Sequence, residues 1–445
     1  MRTQKFDIGI HCGHFLSMKG GRAEPERGIF IGITGDKIAE VAPWSEAKKA
    51  ESREFIDGSK FVALPGFVNA HAHLAMTLFR GLEDDVNFHT WLFERILPLE
   101  DRLVEPGFVR AGTELAMLES IRFGVTTFAD MYFLPSVGAE VMDRAGVRGW
   151  VAQPWASGPL AEDKTVGSDK EALFRDLHAK YKDHPRIVPT IGPHAPYTCD
   201  DPVWRKVVAL SHELEAPIHT HLAETAYEVE ESKKRYGVSP TKRLHSLGAL
   251  GPRTLCAHCV HMSDEDIGLM KSSGASMVHN PDSNLKLGSG LAPVVKYRAN
   301  GIKVALGTDG SASNNDLSMF GPMDLATKVQ KALASNNTAM TAGDALVMAT
   351  YEGARALGLD SKIGSLEPGK EADIVLIDLD FAHLQPVYDV RSALVYAAQG
   401  LETDTVICAG KVLMRGKEIQ TLERARIHRD VAPFRDLVER TVRTF

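Results

Sequence analysis

His71-Ala72-His73 sets two imidazoles two residues apart at the end of an apolar run, and in a β-strand residues i and i+2 share a face. Two neutral imidazoles converging on one point suit a transition metal. His219-Thr220-His221 repeats the pattern and is followed three residues later by Glu224. On spacing alone either imidazole of this second pair can be the ligand, the other lying behind it or in the core. A carboxylate just beyond an imidazole ligand places a proton carrier beside a metal-bound water. His258 in CAHCVHM and Asp309 in GTDG end two further apolar runs. Asp309 offers a hard oxygen ligand and a base for the proton of that water. Each feature alone has a plain structural reading: satisfied histidines at a strand end, or an Asp-Gly turn. Four strand ends all supplying His or Asp predict a metal-dependent hydrolytic site.

Cys256 and Cys259 form a CxxC with no second CxxC to complete a four-thiolate site, and positions i and i+3 of a strand face opposite sides. Gly288-Ser289-Gly290 lacks the Lys-Ser/Thr of a P-loop and reads as a loop at the mouth of the site.

The elements that must hold these residues alternate. Eight strand-like runs are FVALPGFVNAHAH (61–73), VTTFADMY (125–132), VRGWVAQPW (147–155), RIVPTIGPHAP (186–196), APIHTHLAE (216–224), TLCAHCVHM (254–262), SMVHNP (276–281) and KVALGTDG (303–310). Helical stretches such as 202–215 and 263–274 lie between them. Strict alternation eight times predicts an α/β fold, a (β/α)8 TIM barrel spanning 65–362, with chemistry at the C-terminal strand ends. Short strands punctuated by Gly-Asp and Asp-Gly precede and follow it, so residues 1–64 and 363–445 are expected to meet in one composite β-sandwich, with a terminal helix from Arg424 to Phe445.

Composition bounds the function. The 445 residues carry 51 Lys+Arg against 58 Asp+Glu, a net charge of −7 with no basic run, which disfavours nucleic-acid binding. Five cysteines, an odd number, are no disulfide framework and suit a reducing compartment. The start, Met1 to Asp7, lacks the apolar core of a leader, and no run reaches the length of a membrane span. A cytoplasmic enzyme acting on a small molecule, and a homo-oligomer, is the expectation.

PGFVNAHAHLAMTLFRGL, HTHLAET, AHCVHM, HNPDSNLKLGSG and ALGTDG resemble, in order and spacing, the amidohydrolase superfamily, nearest its 5-methylthioadenosine/S-adenosylhomocysteine deaminase branch. The resemblance implies one divalent metal, zinc foremost and iron or manganese possible, held by His71, His73, His221 and Asp309. It implies that Glu224 protonates the ring nitrogen beside the attacked carbon, that His258 holds the attacking water, and that Asp309 takes its proton. Glu100, in ILPLE, matches an acid that binds ribose hydroxyls, and His194, in GPHAPY, a substrate-contacting histidine. The bridging lysine of two-metal relatives has no counterpart in the fourth run. Where members accepting S-adenosylhomocysteine carry an arginine, this sequence aligns Gln153, which weakens the case for a charged substrate tail; Lys164 is the candidate replacement. The expected activity is hydrolytic deamination of a 6-aminopurine nucleoside (5'-methylthioadenosine, adenosine or S-adenosylhomocysteine). Guanine or triazine hydrolysis is the rival chemistry, and a non-enzymatic barrel the rival class.

Overall fold

The computed structural model describes residues 5–444. Residues 1–4, read above for a leader, and Phe445, read as the end of the terminal helix, lie outside the described residues. In chain order the N-terminal flank supplies β1 (Phe6–Leu16), β2 (Pro25–Thr34), β3 (Lys37–Pro43) and β4 (Ser52–Pro65). The middle supplies β5 (Phe67–Ala72), β6 (Val125–Met131), β7 (Arg148–Trp155), β8 (Ile187–Pro193), β9 (Ile218–Leu222), β10 (Thr254–His258), β11 (Ser276–His279) and β12 (Val304–Leu306). The C-terminal flank adds β13 (Ile374–Asp378), β14 (Thr403–Cys408), β15 (Lys411–Arg415) and β16 (Glu418–Ile419).

Strands β5 to β12 form one parallel sheet in sequence order. The seam between its ends is drawn together by two side-chain bonds and one backbone bond: Asn69 Nδ2 donates to Thr308 Oγ1 at 2.7 Å, the Thr308 N–H to Asn69 Oδ1 at 3.0 Å, and the Asp309 N–H to the His71 carbonyl at 3.0 Å. Every residue of β5, β6 and β7 is buried, as expected of parallel strands covered on both faces. This is the predicted TIM barrel, and all eight predicted runs contain one of its strands. The first run also contains the end of β4. Gly66 divides the two: a Cβ there would stand 2.2 Å from Thr126 Oγ1, so only glycine lets the chain cross from one sheet to the other against β6.

The flanks meet in a second sheet, ordered β16-β15-β14-β13-β4-β1-β2-β3. It folds over on itself, because the edge strand β3 returns to the segment before β13: the Ile38 N–H donates to the Lys370 carbonyl at 2.9 Å and the Ala372 N–H to the Asp36 carbonyl at 2.8 Å. Ile10, Ile31, Ile33, Ile38, Ile374, Leu376 and Ile407 fill the enclosed core, each worth about 1.5–3 kcal/mol on full burial. Sandwich and barrel are joined by a buried fork, in which the Arg148 guanidinium donates to Asp373 through Nε at 2.9 Å and Nη2 at 3.0 Å.

The terminal helix runs Arg424–Val442. Phe434 packs edge-on against Phe108 with ring centroids 5.8 Å apart, and Arg102 donates to Thr444 Oγ1 at 2.8 Å. It therefore braces the helix Leu97–Leu103, which carries Glu100. No helix among the described residues is long and apolar enough to cross a membrane.

Candidate active site and metal centre

At the C-terminal end of the barrel, the His73 Nδ1 hydrogen-bonds the Met131 carbonyl and the His221 Nδ1 the His194 carbonyl, the latter at 2.6 Å. A carbonyl only accepts, so both Nδ1 atoms carry hydrogen and a neutral ring leaves its lone pair on Nε2. Those two Nε2 atoms face each other at 3.3 Å. Asp309 Oδ1 lies 3.1 Å from His73 Nε2 and 3.3 Å from His71 Nε2; the latter is buried with no hydrogen-bond partner. Lone pairs and a carboxylate oxygen thus converge in a buried cluster, an arrangement that fits a divalent cation and is repulsive without a positive charge between them. Of the pair left open by spacing, His221 joins the cluster, while His219 lies behind it with Nε2 2.9 Å from His71 Nδ1. Asp309 adopts a left-handed φ of 63°. Its Oδ2 accepts from Ser283 Oγ at 2.6 Å and Ser313 Oγ at 2.9 Å, which leaves Oδ1 for the imidazoles.

Protonation follows from burial and pairing. Burial lowers His71 to about 4 and His221 well below the usual imidazole range. Burial acts in the same sense on His73, but its contact with Asp309 outweighs this and lifts it to about 9. Burial alone would raise Asp309; the imidazoles of His71 and His73 hold it well below the usual carboxylate range.

Glu224 sits on the turn after β9, with its pKa raised by burial, and its Oε1 accepts from Ser289 Oγ at 3.2 Å. A carboxyl that holds its proton nearer neutrality is suited to give it away. His258 ends β10, its Nδ1 2.8 Å from Asn284 Oδ1 and 3.4 Å from Asn280 Nδ2; the shorter contact, to an oxygen that only accepts, places hydrogen on Nδ1 and turns Nε2 to the site.

These groups floor a cavity of about 690 Å³. Glu100 and His194 also line it, so the expected metal donors, proton carriers and sugar-binding residues come together. Glu100 is buried with Oε1 unpartnered, and burial pushes its pKa up to about 7 despite the Tyr132 hydroxyl beside it. His194 is lowered to about 4 by burial, and its Nδ1 is 3.0 Å from Thr198 Oγ1. The remaining wall is largely apolar, with Trp91, Leu92, Phe133, Leu160 and Leu287 prominent beside the polar Asp101, Tyr197 and Thr198, and no Lys or Arg is among the described lining residues.

Gln153 requires a correction. It does not face the cavity: its Nε2 donates to the buried Glu162 at 2.7 Å, which also holds Lys170 Nζ at 2.8 Å and the Leu134 N–H at 2.7 Å. Its neighbour Pro154 lines the cavity instead. Lys164 hydrogen-bonds the Asp101 carbonyl at the surface and does not line the cavity either. Residue spacing carries no signal of the supporting groups, Ser283 and Asn284 of HNPDSN, Ser289, and the carbonyls of Met131 and His194. Cys256 and Cys259 are buried and form no disulfide.

The Amidohydrolase family matches residues 62–413. A 5-methylthioadenosine/S-adenosylhomocysteine deaminase from Thermoanaerobacter pseudethanolicus is 44% identical, covering 88% of this chain and 90% of that protein. A 5'-deoxyadenosine deaminase from Methanothermobacter thermautotrophicus is 39% identical over 88% of this chain and 90% of its own. The crystal structure of an adenosine deaminase from Xanthomonas campestris with bound zinc superposes with a TM-score of 0.94 at 34% identity, covering 98% of this chain and 99% of that one.

Proposed function

This chain belongs to the amidohydrolase family, whose members are metal-dependent hydrolases, and we propose that it hydrolytically deaminates 6-aminopurine nucleosides. The observation that carries this is one cavity holding a metal-type donor set, a buried acid (Glu224) beside it, and a second buried, unpartnered carboxyl (Glu100) on its wall. Deaminase names among its relatives support the chemistry.

We assign one divalent ion per chain, zinc in preference to iron or manganese, to His71, His73, His221 and Asp309. When bound, such an ion acts as a Lewis acid that brings the pKa of water from 15.7 towards about 7. Asp309 takes the proton water gives up, and His258 Nε2 accepts a hydrogen bond from that water and aims its oxygen at the ring carbon bearing the amine. As the C–O bond forms, electrons move onto the adjacent ring nitrogen, which takes the proton of Glu224; general-acid assistance of this kind is worth about 10²–10⁴-fold. Asp309 returns its proton to the amine, the C–N bond breaks and ammonia leaves, while the new hydroxyl becomes the carbonyl of the inosine analogue and its remaining proton restores the acid form of Glu224. Glu100 and His194 hold the sugar hydroxyls.

The absence of Lys and Arg from the described lining, which is largely apolar and carries the acidic Asp101, favours 5' ends without a carboxylate. A carboxylate tail left without a cation forfeits about 1.5–3 kcal/mol, or roughly 10–150-fold. Catalytic efficiency should be higher with 5'-methylthioadenosine or adenosine than with S-adenosylhomocysteine. Ammonia release across purine nucleosides, free purines and triazines tests this; guanine or a triazine as best substrate would overturn it. Glu100 argues against those bare rings, which have no hydroxyls for it, and the full donor set argues against a barrel without catalysis.

A further inference from the structure

The turn that carries Glu224 is held from behind by a second buried acid. Glu228 is 1% exposed and lies in the first turn of the helix Ala226–Tyr236. Each of its carboxylate oxygens accepts one backbone N–H, Oε1 from Ala223 and Oε2 from Glu224, both at 2.9 Å. A Glu at the third position of a helix usually reaches back to the N–H of its capping residue. Thr225 caps this helix by accepting the Glu228 N–H at 3.2 Å, yet the carboxylate passes over Thr225 to the two amides before it.

Those amides belong to a strained turn. Ala223 has a φ of 49°, a left-handed conformation that a residue with a Cβ adopts only at a cost. Its carbonyl accepts from the N–H groups of Val260 at 3.0 Å and His261 at 2.9 Å, and the Leu222 carbonyl from that of Cys259 at 2.9 Å. The turn bearing Glu224 is thus docked on the turn that follows His258, itself left-handed at φ 72°. Glu228 anchors one end of a backbone link between the two side chains assigned to the ring nitrogen and the water.

A buried carboxylate so near another is electrostatically unfavourable, since burial and Glu224 both raise its pKa. A glutamine of the same shape would escape that cost. It would also lose one of the two acceptors, because its amide nitrogen only donates. The carboxylate is therefore suited to gripping two adjacent N–H groups, and we infer that Glu228 is a positioning residue that fixes the aim of Glu224. This rests on the role proposed for Glu224 above.

The test compares wild type with Glu228→Gln, Glu228→Ala, Glu224→Gln and the double variant Glu224→Gln/Glu228→Gln, measuring kcat and KM for adenosine or 5'-methylthioadenosine, bound metal and Tm. The expected result for Glu228→Gln is a fall in kcat of roughly 10-fold or more, with KM within about 3-fold and metal content unchanged. Glu228→Ala should fall further, and the double variant should be no slower than Glu224→Gln, because the two residues act through one proton. Glu228→Gln at wild-type kcat while Glu224→Gln is slow would overturn the inference alone. Multiplying losses in the double variant, or losses in kcat that follow lost metal, would overturn it as well. Glu224→Gln at wild-type kcat would remove the role of Glu224 and this inference with it.

Discussion

His258 Nε2 and Glu224 Oε2 face each other 3.9 Å apart, beyond hydrogen-bonding distance, and each is secured on its far side, His258 by Asn284 and the Glu224 backbone by Glu228. Two groups that stop short of pairing stay available to a third party. In the reaction proposed above, that party is the attacked ring, with water on the His258 side and the ring nitrogen on the Glu224 side.

Separation of the two roles is directly measurable. Glu224→Gln should retain its metal and lose at least about 10²-fold in kcat, since only a proton donor is removed. His221→Ala should lose the metal, because one of the converging Nε2 atoms is gone. Elemental analysis beside kinetics checks both, and equal metal loss in the two variants contradicts the assignment.

Metal binding should depend on pH in a defined direction. His73, lifted to about 9 by Asp309, must shed its proton before its Nε2 can hold a cation, so loading near pH 7 releases protons and weakens as pH falls. Calorimetric titration of chelator-stripped protein with zinc, in buffers of different ionisation enthalpy, should show that release and a stoichiometry near one. Affinity unchanged between pH 6 and pH 8 would contradict the geometry.

Glu100 should be functional at the expense of stability. Its folded-state pKa of about 7 exceeds the ordinary 4.5, so the folded chain holds this proton more tightly than the unfolded one. The stability it contributes is present below pH 4.5 and is lost as pH rises through about 7. Glu100→Gln should therefore raise Tm by a few degrees at pH 8, with the gain shrinking towards pH 5, while catalytic efficiency falls more with nucleosides than with any free base.

The Arg148–Asp373 fork should be a structural hinge-pin. Asp373→Ala leaves a buried guanidinium with less compensation, at a cost of about 3–5 kcal/mol, whereas the double variant Arg148→Met/Asp373→Ala should recover part of that loss. Urea unfolding of wild type, Arg148→Met, Asp373→Ala and the double variant measures the coupling, and additive losses would show that the fork contributes nothing as a pair.

What was legible in the sequence follows from where its information lies. HxH at a strand end and GTDG announce themselves because imidazole and carboxylate are rare, chemically distinct and tied to a period of two. The carbonyls of Met131 and His194, which fix the tautomers of His73 and His221, have no residue signature, since every residue carries a carbonyl. Gln153 misled for a related reason. In β7 every residue is buried on both faces, so alternation of polarity does not tell the cavity side from the helix side, and a buried polar side chain can be satisfied by Glu162 instead. The run 61–73 hid a change of sheet at Gly66 because both strands are apolar there.

The pairing of β4 with β13 fixes an order of events during synthesis. Val62 finds its partner Ile377 more than three hundred residues later, while His71, His73, His221 and Asp309 have all left the ribosome before Ile374 is made. The nascent chain therefore holds every proposed metal donor while one edge of β4 is still bare, and Arg148 waits buried-side-out for Asp373. Such long-range closure is slow, and an unpaired edge invites aggregation. The late-made β13 is thus the part that makes the earlier β4 safe.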